Sequence, residues 1–348
     1  MGLGKKVMIR PVPIAIVGCG AISQRGYLPA LQHVAEVQCL WLVDANRPLA
    51  ESLARQFGIP MATDDYSRAL EQVEAVILAV PNHLHAQMAL AALKRKRAVL
   101  CEKPIGRTAR EVQEMVAASE STGVPLVAAM IFRQYGGLQQ IHSSFPWHTL
   151  GTIREIRASY GCRLDWPVSN PAFFDQDTTG GGVLLDLGVH LVDSLFWILS
   201  VHEVSVTAYY DDGESGMESE VKASMTVRMP GVPDSIPCFL EVSRLRRLKN
   251  CIQVMGSIAT LHVPLSSTDV PRIENAADLR PALPKTAPTR SETDCFAEQI
   301  RAFCRKVRGL DATCVTADSQ VFVHKTIASC YAIRKPLAFS WQKYEPWP

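Results

Sequence analysis

Between residues 14 and 130 near-continuous apolar runs alternate with amphipathic stretches, and this pattern restricts the fold more than any other feature of the chain. "IAIVGC" (14–19), "VQCLWLV" (37–43), "EAVILAV" (74–80), "AVLC" (98–101) and "PLVAAM" (125–130) read as strands. "AISQRGYLPALQHV", "RPLAESLARQFG", "HLHAQMALAALKRK" and "TAREVQEMVAASESTG" read as helices between them, two of them stopped by glycine. Strands apolar on both faces, separated by helices, require a parallel sheet covered on both sides, a doubly wound α/β arrangement.

Ligands of such sheets bind beyond the carboxyl ends of the strands. "GCGAIS" (18–23) lies where the first strand meets the first helix. Gly18 permits a tight turn, Gly20 lets the backbone approach a pyrophosphate, and Gly18, Gly20, Ala21 and Ile22 are expected against it. The third glycine position is Ser23, still small. Asp44, ending the second strand, can accept the adenosine ribose hydroxyls as NAD requires. Arg47 keeps NADP open, and a helix cap is the alternative role for Asp44. Pro81, Asn82 and His85 follow the next strand and are expected near the cofactor, Asn82 on ribose or nicotinamide or as a turn before the helix.

The fourth run, "AVLC", ends in Glu102, Lys103 and Pro104. An ammonium at that edge can bond a substrate oxygen and stabilise charge developing on it. Glu102 can hold the lysine or the cofactor ribose. A purely structural Glu–Lys pair remains the alternative.

After Met130 the pattern turns to alternating, β-rich segments, read as a mostly antiparallel open sheet in an α+β domain. The exposed face of such a sheet needs cover, so a homo-oligomer, dimer or tetramer, is expected. "GGGVLLDLGVHLVDSLFWILS" (180–200) reads as a helix whose Asp186 and His190, four apart, share one face. A carboxylate one turn from an imidazole can orient it for acid–base work. A buried histidine satisfied by Asp186 or Asp193 is the alternative. "ETDCFAEQIRAFCRKVRG" (292–309) and "QVFVHKTIASCYAIRKPLAF" (320–339) read as helices, and the proline-rich 266–290 as an exposed arm. The expected division is 1–131, dinucleotide-binding, and 132–348, substrate-binding and oligomerising, with helix 316–335 free to pack back on the first unit.

A net charge of +2 gives no basic stripe for nucleic acid, and the short runs "KRKR" (94–97) and "RLRRLK" (244–249) read as solvated surface. Ten scattered cysteines without metal spacing argue against zinc and for buried thiols in a reducing compartment. No metal, no membrane span and a cytoplasmic location are expected.

"GCGAIS", "TDDYSRAL", "EAVILAVPNHLHAQMALAALKRKRAVLCEKPIG" and "GGGVLLDLGVHLVDSLFWIL" together resemble the glucose–fructose oxidoreductase / inositol dehydrogenase / rhizopine-catabolism (Gfo/Idh/MocA) family. The resemblance implies an N-terminal Rossmann domain, a C-terminal domain with an open antiparallel sheet, a nicotinamide cofactor and a sugar-like or cyclitol substrate. It points to Lys103, Asp186 and His190 as the catalytic set and to Arg133, in "MIFRQY", beside the nicotinamide with Tyr135 nearby. Lys96 stands where the family usually has glycine. The expected activity is hydride transfer between nicotinamide and a secondary alcohol or ketone, with His190 or Lys103 taking the hydroxyl proton. A redox-neutral glycosidase or epimerase with retained NAD, and a non-catalytic sugar sensor, are the alternatives. The segment 166–179 is expected to face the substrate ring.

Overall fold

The computed structural model describes residues 10–164, 174–213, 217–274, 289–310 and 313–337. Six parallel strands come first: β1 (Val12–Val17), β2 (Val37–Val43), β3 (Met61–Thr63), β4 (Ala75–Leu78), β5 (Ala98–Cys101) and β6 (Leu126–Ala128). Their order β3-β2-β1-β4-β5-β6 reverses direction between β1 and β4, which opens a crevice there. The helices α1 (Leu28–Leu31), α2 (Arg47–Phe57), α3 (Tyr66–Leu70), α4 (Asn82–Lys94) and α5 (Ala109–Thr122) connect them. Local chemistry sets several ends. Asn46 caps α2 by accepting from Leu49 N, and Thr108 caps α5 by accepting from Glu111 N.

The second sheet has eight strands: β7 (Ile153–Gly161), β8 (Glu203–Asp211), β9 (Glu220–Arg228), β10 (Ile236–Ser243), β11 (Cys251–Gly256), β12 (Thr260–Pro264), β13 (Arg272–Glu274) and β14 (Arg334–Pro336). Its order is β13-β12-β11-β7-β10-β9-β8-β14, antiparallel except for β7/β10 and β8/β14. The side-chain alternation of β10 shows how it is covered. Ile236, Cys238, Leu240 and Val242 are buried, while Phe239 faces out. The buried face lies against α6 (Gly136–Ser144) and α8 (Val189–Leu199), α8 following the short α7 (Gln176–Thr179). The run Gln176–Leu199 is apolar enough to cross a membrane, but most of it is interior to the protein. One continuous core joins this face to α4, α5 and one side of the first sheet.

The last helices cover the first unit. α9 (Glu292–Val307) packs Phe296, Ile300 and Phe303 into the core beneath β1, with Phe296 edge-on to Tyr27 at 5.2 Å. It was expected within the second unit, and sequence order alone cannot show that it returns. α10 (Ala317–Ala332) lies between α5 and β8. The expected single helix over 320–339 breaks at Ile333. The chain then becomes the edge strand β14, drawn there by Arg334 Nε donating to the buried Asp211 carboxylate at 2.8 Å. Two stretches expected as plain α-helix contain π-turns, Ser23–Tyr27 and Leu184–Gly188. β3 and α6 were not read, the first being too short for periodicity and the second beginning with two glycines. Residues 166–173, 275–288 and 338–339, parts of the ring-facing, arm and helix readings, lie outside the described residues.

Lys96 adopts a left-handed conformation, φ 58°, in the turn closing α4. A side chain there costs about 1–2 kcal/mol, against about 0.5–1 kcal/mol of extra chain entropy for glycine. Lys96→Gly is therefore expected to stabilise the fold by about 0.5–1 kcal/mol in urea titration; a loss of stability would contradict this account.

Candidate functional site

The site is built at the carboxyl edge of the first sheet. Gly18 has φ +93°, and a Cβ on it would stand 2.2 Å from Ala79 O, so the turn after β1 admits only glycine. Ser23 closes the turn by donating to Gly18 O at 2.5 Å. At Gly20 a Cβ would meet nothing within 4 Å, which leaves open room for a ligand against the backbone beside Ala21 and Ile22. Asp44 accepts from Cys19 N at 2.7 Å and Asn46 N at 2.8 Å, joining the ends of β1 and β2. It does not cap α2; Asn46 does. Arg47 turns away to Glu51 and is exposed. These residues fit a dinucleotide: a glycine cradle open above Gly20 with a half-buried carboxylate beside it.

The turn after β5 is fixed from several sides. Glu102 is buried, accepting from Tyr27 Oη at 2.6 Å and from Lys103 N at 3.0 Å. Burial raises its pKa. The Lys103–Pro104 peptide is cis. His85, expected at the cofactor, instead lies between Pro104 O and Val80 O, each 2.8 Å from a ring nitrogen. Its polar atoms serve the fold, and burial lowers its pKa. Asn82 reaches the second unit, donating to Thr179 O at 3.0 Å, and Pro81 immediately precedes α4.

Lys103 Nζ bonds Asp186 Oδ1 at 2.7 Å and Asp186 O at 3.0 Å. Asp186 sits in the π-turn Leu184–Gly188, an irregularity frequent at functional sites. This turn is held by Glu218, whose carboxylate accepts from Gly182 N and Leu184 N, both at 3.1 Å. A Cβ at Gly182 would collide with Glu218 O at 2.3 Å. The Asp186 carboxyl is held below the usual carboxylate range; burial opposes this, but Lys103, Arg244 and His190 outweigh it.

His190 is 5% exposed and stacks on Phe132, centroids 4.4 Å apart, with Tyr135 stacked beyond. No hydrogen bond joins it to Asp186, so the ring is oriented by stacking and not, as expected, by the carboxylate. Its Nδ1 is buried without a hydrogen-bond partner among the described residues. Burial, aided by Lys103, pushes its pKa well below the ordinary value, so the ring is neutral at pH 7. Asp193 does not serve it either. That fully buried carboxylate takes Arg133 Nε at 2.9 Å, Arg133 Nη2 at 2.6 Å and Gln320 Nε2 at 2.6 Å. Arg133, expected beside the nicotinamide, is thus committed beneath α8, its guanidinium over Trp197. A buried anion demands a buried cation. Reading "RLRRLK" as solvated missed Arg244. It is 7% exposed, with Nη2 3.5 Å from Asp186 Oδ2.

Two family models cover this architecture. One, an oxidoreductase family with an NAD-binding Rossmann fold, matches residues 12–130; the other, a GFO/IDH/MocA C-terminal domain, matches 138–262. The chain belongs to the Gfo/Idh/MocA oxidoreductase family. A trans-1,2-dihydrobenzene-1,2-diol dehydrogenase of Mus musculus is 34% identical over 234 residues, 66% of each chain. A dTDP-3,4-didehydro-2,6-dideoxy-alpha-D-glucose 3-reductase of Saccharopolyspora spinosa is 26% identical over 90% of this chain and 93% of its own. A levoglucosan dehydrogenase solved with NADH and levoglucosan shares the fold, with TM-score 0.79 and 18% identity over 93% of this chain and 97% of that one.

An unfolded histidine takes up its proton near pH 6.5, whereas His190 stays neutral in the fold. The folded state then binds fewer protons, and stability is lost as pH falls through and below that value, by at most about 1.4 kcal/mol per unit. His190→Gln removes this contribution. The stability difference between wild type and variant, from urea melts, is expected to shrink between pH 7 and 5; a constant difference would place the proton on His190 in the fold.

Proposed function

We propose that the chain transfers hydride between NAD(P) and a secondary alcohol or ketone carbon on the ring of a sugar-like polyol. The observation that carries this is the Lys103–Asp186 bond of 2.7 Å at the carboxyl edge of the Rossmann sheet, with a neutral imidazole, its Nδ1 unpartnered among the described residues, one turn further on. When bound, a nicotinamide cofactor would supply the hydride chemistry. Lys103 donates a hydrogen bond to the reacting oxygen and stabilises its developing charge. His190 accepts the hydroxyl proton in oxidation and returns it in reduction. Asp186 holds the lysine head and offers its carboxylate to a neighbouring hydroxyl. Ring diols, cyclitols and sugars all present this pair of hydroxyls. The activities for which the relatives are named, on a dihydrodiol and a deoxysugar ketone, support the class. NAD is favoured over NADP, since a carboxylate, Asp44, follows β2 beside the glycine turn while Arg47 is turned to Glu51.

The test is absorbance at 340 nm with NAD or NADP against a panel of sugars, cyclitols and cyclic diols. His190→Ala and Lys103→Met are expected to cut turnover by about 10²–10⁴-fold while NADH binding, followed by fluorescence, stays within about twofold. Full turnover in either variant removes that residue from the chemistry. Product formed without absorbance change would mark the retained-cofactor alternative.

We also propose a homo-oligomer joined through the outer face of the second sheet. Phe239 (40% exposed) and Tyr210 (38%) lie there with Arg157, Lys222 and Glu241 around an open groove of about 500 Å³. Phe239→Glu is expected to lower the mass seen by light scattering; an unchanged mass, or a monomeric wild type, contradicts it.

A further inference from the structure

We propose that Arg244 is a positioning residue, holding Asp186 so that the opposite carboxylate oxygen stays on Lys103. The proposal rests on the reading of the Lys103–Asp186 pair just given. Along β10 Ile236, Cys238, Leu240 and Val242 are buried at every second residue, and Ser243 at the strand's end is buried as well. Residue 244 continues that parity, so the strand that lays four apolar side chains beneath the Asp186 helix places a guanidinium fifth. The geometry fixes where it arrives. Val242 Cγ2 would be 3.4 Å from a Cβ on Gly188, so the next inward position lies further along, at Asp186. There Nη2 stands 3.5 Å from Asp186 Oδ2, while Lys103 Nζ holds Oδ1.

Arg244 is well placed to act as a fixed support. Its N–H donates to Ser219 O at 2.9 Å and its carbonyl accepts from Leu164 N at 3.1 Å, so its backbone is tied to both neighbouring strands beyond the ends of the ladder. Its side chain is only 6% exposed, against 21% for Lys103 and 25% for Asp186. The two half-exposed groups face the cleft and the arginine stands behind them. The groups facing Asp186 are Lys103 from the turn after β5, Arg244 from just past the end of β10, Tyr160 from β7 and His190 from its own helix. Of these, Arg244 is a permanent cation. It keeps the carboxylate ionised when Lys103 engages substrate.

Two measurements separate this from a merely structural role. The carboxyl of Asp186, followed by ¹³C NMR of aspartate-labelled protein and assigned by its loss in Asp186→Asn, is expected to titrate about one unit higher in Arg244→Met. In Arg244→Lys it should stay near the wild-type value. The acid limb of kcat/KM should move upward by the same amount. In the Asp186→Asn background, Arg244→Met should change kcat/KM by no more than about twofold, because the arginine acts through the carboxylate. An unmoved Asp186 titration in Arg244→Met, or losses that multiply fully in the double variant, would overturn the proposal. If Arg244→Met fails to fold, Arg244→Gln against Arg244→Lys gives the same contrast, charge lost against charge kept. The NMR arm needs no turnover. An absence of activity across the substrate panel would therefore defeat the proposed reaction and leave this inference standing or falling separately.

Discussion

Lys103, in the turn after β5, and Asp186, in the π-turn before α8, lie 83 residues apart, and their contact exists only if these two independent turns are held still. A lysine side chain has many rotamers, and fixing its head in one place costs free energy that a single exposed ion pair rarely returns. The fold meets this by immobilising the backbone on both sides. In the turn after β5 several polar main-chain groups are engaged. Glu102 N donates to Leu78 O, and Lys103 N to the Glu102 carboxylate. Pro104 O faces His85, Gly106 O faces His324, and Arg107 N donates to Glu111. Three of these partners come from α4, α5 and α10, so the turn that aims the ammonium is fixed by the two helices flanking β5 and by one from far along the chain. The turn bearing Asp186 is treated likewise, with Glu218 accepting two of its N–H groups and Tyr331 donating to the same carboxylate.

Buried titratable groups are numerous around these turns, and most are structural. His85 and His324 each face two carbonyl oxygens, and a neutral ring donates to one of them at a time. Arg133 and Gln320 together hold the buried Asp193 carboxylate beneath α8. His190 differs from the other two histidines not in burial but in incompleteness: its Nδ1 has no hydrogen-bond partner among the described residues. An unsatisfied buried nitrogen costs about 1–3 kcal/mol and persists where something else is gained.

Much of the fold was legible because its signals are local. The "AVLC" run, the glycine turn after β1 and the Asp186–His190 spacing need only strand length, backbone geometry and helix period. Lys103 could be placed at the sheet edge by the rule for open α/β sheets. The partners of these groups were not legible, because partnership depends on tertiary reach. Asp186 could as well have faced His190, Arg133 could as well have faced the crevice, and α9 could as well have stayed with its sequence neighbours. Arg244 is intermediate. Its signal was present, a cation continuing the inward parity of "IPCFLEVSR", but the adjacent exposed Leu245, Arg246 and Arg247 masked it as a charged run.

The protonation states then distribute the proposed roles. Asp186, lying between Lys103 and Arg244, is held as an anion and would release any proton it took near neutrality. It is therefore a poor store for a hydroxyl proton and a good counterion. His190 is neutral, buried and incompletely bonded, and it can accept that proton. Burial makes the resulting imidazolium unfavourable, and the nearby Asp186 charge offsets part of that penalty without a hydrogen bond between them. A proton taken up there is thus held weakly and returns readily. That suits a reaction run in both directions, and it explains why the carboxylate is better spent on the lysine than on the ring.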